Sequence, residues 1–305
     1  MSDTVPDVVP TPESFVVEYP FVNAPAADAI LRSADGADFY VHRAILSLVS
    51  PIFETMFQLP QPDATPAIPV IDVQEPSRVL DRALRFFYPG AYPRVATLEE
   101  LQEIIEVLVS KYDIQSVVPV AKQHLEKFSS AQPLAVYTVA FKHRWQDVAT
   151  IAAKESLKLP LRALNTPAPP ELSGVSAIAY HDLLHYHYLC GAAAGRTSSL
   201  VWLTPPHAIV TWPNCACHSK NCLYTFSNNN TLRTVPQWFN TYLISMAGDL
   251  SITPGVGLRE HVHFHVALGE ARCGHCSIFM DFLEFVKYQW PAKLAEEMDK
   301  IVLKF

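Results

Sequence analysis

The sequence predicts a mixed α/β (α+β) fold: a hairpin-plus-helices domain near the start, further helices, and a loop-rich C-terminal region bearing Cys and His. Three observations carry this prediction. Two short apolar runs flank Ala34-Asp35-Gly36-Ala37, which is turn chemistry because Asp and Gly tolerate the left-handed conformation. Leu98, Leu101, Ile104, Ile105, Leu108, Val109 and Tyr112 recur at the three- and four-residue spacing of a buried helical stripe. Prolines at 160, 167, 169 and 170 break the pattern and mark a domain boundary.

Taken in order, residues 1–23 are rich in Pro, Asp and Val and are expected to be a mobile tail, with one short strand at Phe15–Tyr19. Residues 29–33 and 39–41 are the two strands of the hairpin. Residues 42–48 make a short apolar helix. Ser50 caps a second one, and Pro51 suits its first turn. Ile52, Phe53, Met56 and Phe57 share one face of it. Residues 68–73 read as a strand whose Pro69 favours an edge. Helices follow at 77–88, 98–112 (capped by Thr97), 117–128, 134–142 and 145–157. Beyond the proline-rich stretch, helices are expected at 177–194, 238–247, 278–286 and 292–304. Residues 200–235 read as loop-rich, and Val262–Leu268 alternates as a strand does. The expected organisation is therefore a tail (1–23), a hairpin-plus-helices domain (24–130), a helical extension (131–160) and a C-terminal, mostly helical domain (161–305).

Composition excludes several functions. A net charge of −7, with no Lys/Arg-rich run, gives no field for nucleic-acid phosphate. Neither a DNA-reading zinc-finger pair nor a basic region with heptads is present. The most apolar stretch, residues 175–194, contains Asp182 and several His and is no clean span of about 20 residues. No signal-peptide pattern opens the chain. Six cysteines in 305 residues are too sparse for a disulfide scaffold. The expectation is a soluble intracellular protein, cytoplasmic or nuclear.

The order hairpin, two short helices, strand, then three helices resembles the BTB/POZ domain. The matching residues are Asp28 to Gly36, then Phe39-Tyr40-Val41-His42-Arg43-Ala44-Ile45-Leu46, then Ser50-Pro51-Ile52-Phe53-Glu54-Thr55-Met56-Phe57. The apolar-His-basic-x-apolar-Leu run followed by Ser-x-x-Phe-x-x-Met-Phe is the signature. The resemblance covers residues 24–130, and the Leu59-Pro60-Gln61-Pro62 that follows is similar to the BTB-domain proteins numerous in mushroom-forming fungi. It implies a protein-binding module, often homodimeric, that acts as scaffold or adaptor and is not an enzyme. It also implies that Ile45, Leu46, Phe53, Met56 and Phe57 are interface candidates. For Phe53, Met56 and Phe57 core packing is the alternative, since helical spacing alone does not separate the two. His42 is expected to be a hydrogen-bonded structural residue between strand and helix. Some members of the family recruit a cullin-type ubiquitin ligase scaffold. Those usually carry an apolar-x-Glu motif after the second helix, where this chain has Gln58-Leu59-Pro60-Gln61-Pro62. Substrate adaptor of a cullin ligase is thus an alternative.

The C-terminal half carries all six cysteines. Cys215, Cys217 and Cys222 cluster, and Cys273-Gly274-His275-Cys276 follows some 50 residues later. A Cys-x-x-Cys pair on a glycine turn presents two thiolates to Zn²⁺, and a second cluster completes a tetrahedron. One structural zinc ion held by Cys273, Cys276 and two of Cys215, Cys217 and Cys222 is one reading. Reduced thiols packed as small hydrophobes and redox pairing are the others. Cys190 lies in an apolar helix and is expected in the core. His181-Asp182-Leu183-Leu184-His185 resembles the His-Glu-x-x-His helix of metalloproteases with Asp in place of Glu. His261, His263 and His265 fall on one face of the expected strand. Either set raises a zinc-dependent hydrolase as the enzyme alternative, against helix packing or an exposed His face.

Overall fold

A computed structural model describes residues 15–22, 24–59, 68–160, 176–203, 223–228, 231–271 and 278–305. The chain divides into two compact units, Met1–Leu125 and Glu126–Phe305.

The first unit is built around a three-stranded sheet. Strands β1 (Ala29–Arg32) and β2 (Asp38–Val41) form the antiparallel hairpin, with Leu31 opposite Phe39. Strand β3 (Val70–Asp72) pairs parallel with β1, so the order is β2-β1-β3 and the strand after Pro69 lies at an edge. Gly36 takes φ +84°, the conformation that the turn requires. Helices α1 (Arg43–Val49), α2 (Pro51–Gln58), α3 (Ser77–Leu84), α4 (Leu98–Ile105, continued by a π-helical segment Glu106–Lys111) and α5 (Val118–Glu126) complete the unit. Leu31, Phe39, Val41, Leu46, Phe53, Leu80, Leu98 and Leu101 are buried together as its core.

The hairpin also caps two helices. The side chain of His42 gives α1 no cap, and Pro76 can give none to α3. Asp28 accepts from Arg43 N at 2.7 Å, at the start of α1. Asp35, in the turn, accepts from Ser77 N at 2.9 Å and from Ser77 Oγ at 2.6 Å, at the start of α3. Each carboxylate satisfies a helix N–H that has no partner within the helix, and its charge suits the positive end. The Ser33 and Ser77 bonds hold the Asp35 carboxyl below its usual range. Ser50 and Thr97 cap α2 and α4 as the sequence predicts, through Phe53 N and Glu100 N.

Two expectations for this unit are corrected. Residues 15–22 are neither a free tail nor a strand: Phe21 is fully buried against Phe39 and Tyr88, and its carbonyl accepts from Tyr40 N at 2.9 Å. The third helix ends at Leu84, not Tyr88. The chain tightens there into turns such as Phe86 N to Ala83 O, and Arg85 turns inward to pair with Asp81.

Among its described residues the second unit is helical apart from one pair of strands. It contains α6 (Pro133–Lys142), α7 (Gln146–Ser156), α8 (Ala177–Thr197), strands β4 (Leu223–Asn228) and β5 (Thr231–Pro236), α9 (Gln237–Ile252), α10 (Val262–Glu270), α11 (Ile278–Glu284, continued by a π-helical segment Phe285–Gln289) and α12 (Trp290–Asp299). Helices α6 and α7, expected as a separate extension, share this unit. Tyr137 Oη donates to Ala179 O at 3.1 Å, and Gly255 N donates to Leu157 O at 2.9 Å. The core is an edge-to-face aromatic cluster of Phe239, Tyr242, Phe282, Phe285 and Trp290, with the Trp290 indole donating to Thr197 Oγ1 at 2.7 Å. Cys190 is buried, as expected.

Two further expectations fail here. Strands β4 and β5 pair antiparallel, Leu223 with Pro236 through Asn228 with Thr231, in the stretch read as loop. Val262–Leu268 is helical, not a strand: its buried residues Phe264 and Ala267 lie three apart, with the buried C-cap Ala271 four further on, which is helical spacing, and the alternation of His with apolar residues is incidental.

Candidate interaction surface

Helices α1 and α2 follow the hairpin directly and are held to it and to each other by polar contacts. The Arg43 guanidinium donates to Phe57 O at 2.7 Å and lies 5.0 Å from the centre of the Phe57 ring. Ser50 Oγ accepts from Phe53 N at 3.1 Å and donates to Tyr112 O at 2.6 Å, anchoring the α1–α2 junction to the end of the long helix. The His42 ring is bracketed between Tyr88 Oη and Pro25 O. Because a carbonyl only accepts, Nε2 carries the proton and Nδ1 accepts from Tyr88. His42 is thus the structural residue that the sequence suggested. Burial raises the Tyr88 phenol above its usual value.

This scaffold fixes which side chains face outward. Of the predicted interface residues, Leu46 and Phe53 are in the core, at 0% and 2% exposure, and cannot present a surface. Phe53 stacks on Tyr112 at 4.5 Å between ring centres. Ile45, Met56 and Phe57 are half-buried. The large apolar side chains that do face solvent are Leu48, 85% exposed, with Ile52 and Leu59. Helical spacing puts Ile45 beside Leu48, and Ile52 beside Met56; Leu59 follows α2 in extended conformation. Sequence reasoning missed Leu48, Ile52 and Leu59. The usable signal was offset: Leu48 lies two positions from buried Leu46, and Ile52 one from buried Phe53, so each points away from the core.

The first unit also buries two polar groupings. Glu75, 5% exposed, accepts from Tyr112 Oη at 2.8 Å and from Lys111 Nζ, and burial first, then the Glu75 bond, drives the Tyr112 phenol far up. Arg85 pairs with Asp81 through two bonds of 2.8 Å in the interior. These groups are satisfied structural pairs.

Cys215, Cys217, Cys222, Cys273 and Cys276 lie outside the described residues. His181 and His185 are exposed on α8 with their rings stacked at 6.1 Å. Among the described residues neither belongs to a group of three metal-ligating side chains; Asp249, His261 and His263 form such a group. The metalloprotease-like reading of α8 therefore has no third ligand among the described residues.

The described residues of the first unit thus combine a small sheet, short flanking helices and apolar side chains of α1 and α2 turned outward. Residues 21–129 match the family model of the BTB/POZ domain, so the chain carries a BTB/POZ domain over that range and is a protein–protein interaction module there. No curated protein matches the chain. No helix among the described residues is long and apolar enough to cross a membrane.

Proposed function

We propose that the chain self-associates through the α1–α2 face of its BTB/POZ domain and acts as a scaffold or adaptor. The observation that carries this reading is the outward-facing set Leu48, Ile52 and Leu59, bordered by half-buried Ile45, Met56 and Phe57. Apolar side chains at helical spacing on a rigid pair of helices gain from burial by roughly 25 cal/mol per Å² of apolar surface covered. A second copy brings the same patch and closes a two-fold interface without any further sequence requirement.

Light scattering of the full chain during size exclusion tests this. The expected result is a dimer at micromolar concentration that becomes monomeric when Leu48→Glu and Ile52→Glu are combined, with far-UV circular dichroism unchanged. A wild-type monomer over the same range would overturn self-association. Capture of a cullin by the intact chain, lost in the same double variant, would instead favour the ligase-adaptor role.

A further inference from the structure

We propose that Asp249, His261 and His263 form a binding site for a divalent transition-metal ion of the zinc type, separate from any site the cysteines make. Asp249 lies in the last turn of α9, and the two histidines straddle the start of α10. His261 Nε2 and His263 Nε2 each stand 3.1 Å from the same oxygen, Asp249 Oδ2. That oxygen is buried and accepts no hydrogen bond from either ring, although both nitrogens are within reach. An Asp–His pair held by hydrogen bonding would aim an N–H at the carboxylate. Ligands gathered around a shared ion instead aim lone pairs at a point between them. Bonds of about 2.0–2.1 Å in a tetrahedron set neighbouring ligand atoms about 3.3 Å apart, close to both Asp–His separations, and all three ligand atoms lie within 4.8 Å of one another.

The donor set is also suited to such an ion. Two imidazoles and one carboxylate are borderline and hard donors, which favour Zn²⁺ and its first-row neighbours over Ca²⁺ or Mg²⁺. All three side chains are partly exposed, so water or another ligand can take a fourth position. The connection between the helices is anchored at both ends: Leu258 is buried, and Thr253 N closes α9 on Asp249 O at 2.7 Å. The site is thus set by packing before the ion arrives. Ligation through His261 Nε2 places that ring's proton on Nδ1, and the long 3.4 Å contact from His263 N is given up. His265 is exposed and takes no part.

The experiment is Zn²⁺ titration of the full chain by calorimetry, with Co²⁺ absorption as a second probe. A chain carrying Cys273→Ser and Cys276→Ser should still bind one Zn²⁺, and its Co²⁺ form should show visible ligand-field bands without a thiolate charge-transfer band. Adding His263→Ala to that chain should weaken binding by more than about 100-fold, since loss of a direct ligand exceeds the loss of an outer partner. Asp249→Asn should weaken it less, and matched circular dichroism shows that the variants are folded. No Zn²⁺ bound by the cysteine-substituted chain, or equal affinity with and without His263, would overturn the proposal.

Discussion

Gly191 on α8 marks a close approach of two helix backbones in the second unit. A Cβ placed there would lie 2.3 Å from the Ser251 carbonyl oxygen of α9, well inside any real contact. Gly195, one turn on, meets Ala247 O and the Ser251 side chain in the same way. The helices cross where both glycines allow their backbones to approach. Gly191→Ala gains up to about 1 kcal/mol of helix propensity, but the obstacle is backbone and cannot swing aside. Overpacking of this kind costs about 1–3 kcal/mol or more. Gly248, inside α9, meets nothing within 4 Å, so Gly248→Ala keeps the propensity gain without the clash. The two substitutions should move stability in opposite directions. Urea unfolding followed by tryptophan fluorescence reads this directly, because all five tryptophans fall after residue 125. With a slope of about 1–3 kcal/mol per molar urea, the Gly191→Ala midpoint should drop by on the order of 1 M and that of Gly248→Ala should rise by less. Stabilisation by both variants would refute the close-crossing argument.

In the first unit, Asp81→Ala leaves the buried Arg85 guanidinium to Tyr19 O at 3.3 Å and an exposed Glu18 at 3.8 Å, and should cost about 3 kcal/mol. Combining Asp81→Leu with Arg85→Met should recover most of that loss, as read by circular dichroism since tryptophan is silent there. Asp28→Ala and Asp35→Ala each remove a cap supplied by the hairpin and should each cost about 1 kcal/mol in the same assay. His187 is buried and donates from Nε2 to Leu159 O at 2.9 Å, and burial holds its pKa below the ordinary 6.5. Its unfolded form takes up a proton before its folded form does. Stability of the second unit should therefore decline as pH falls below 6.5, and His187→Gln should flatten that decline in urea midpoints measured across this range.

Much of the first unit was legible because local chemistry and packing agree there. Asp35-Gly36 sets the turn, Ser50-Pro51 starts a helix, and the stripe from Leu98 to Tyr112 has one reading at every position. Which apolar residues of α1 and α2 face outward was not legible, because Leu46 and Leu48 are equally apolar and only the sheet beneath them decides. In the second unit, alternation at Val262–Leu268 misled. Alternation of His263 and His265 with Val262, Phe264 and Val266 fits a strand as well as a helix over so short a run, and the buried partners that select the helix lie on other elements. Asp249 had no sequence signal as a partner of His261 and His263, since their meeting depends on how α9 folds back onto α10.

Hydrogen exchange of the intact chain in a dilution series addresses the central claim most directly, because it reports where association occurs as well as whether it does. Backbone amides of residues 43–59 should gain protection as concentration rises through the micromolar range, and Leu48→Glu with Ile52→Glu should abolish that gain. Protection in those helices that ignores concentration, or that changes only in some other segment, would contradict the assignment of this face.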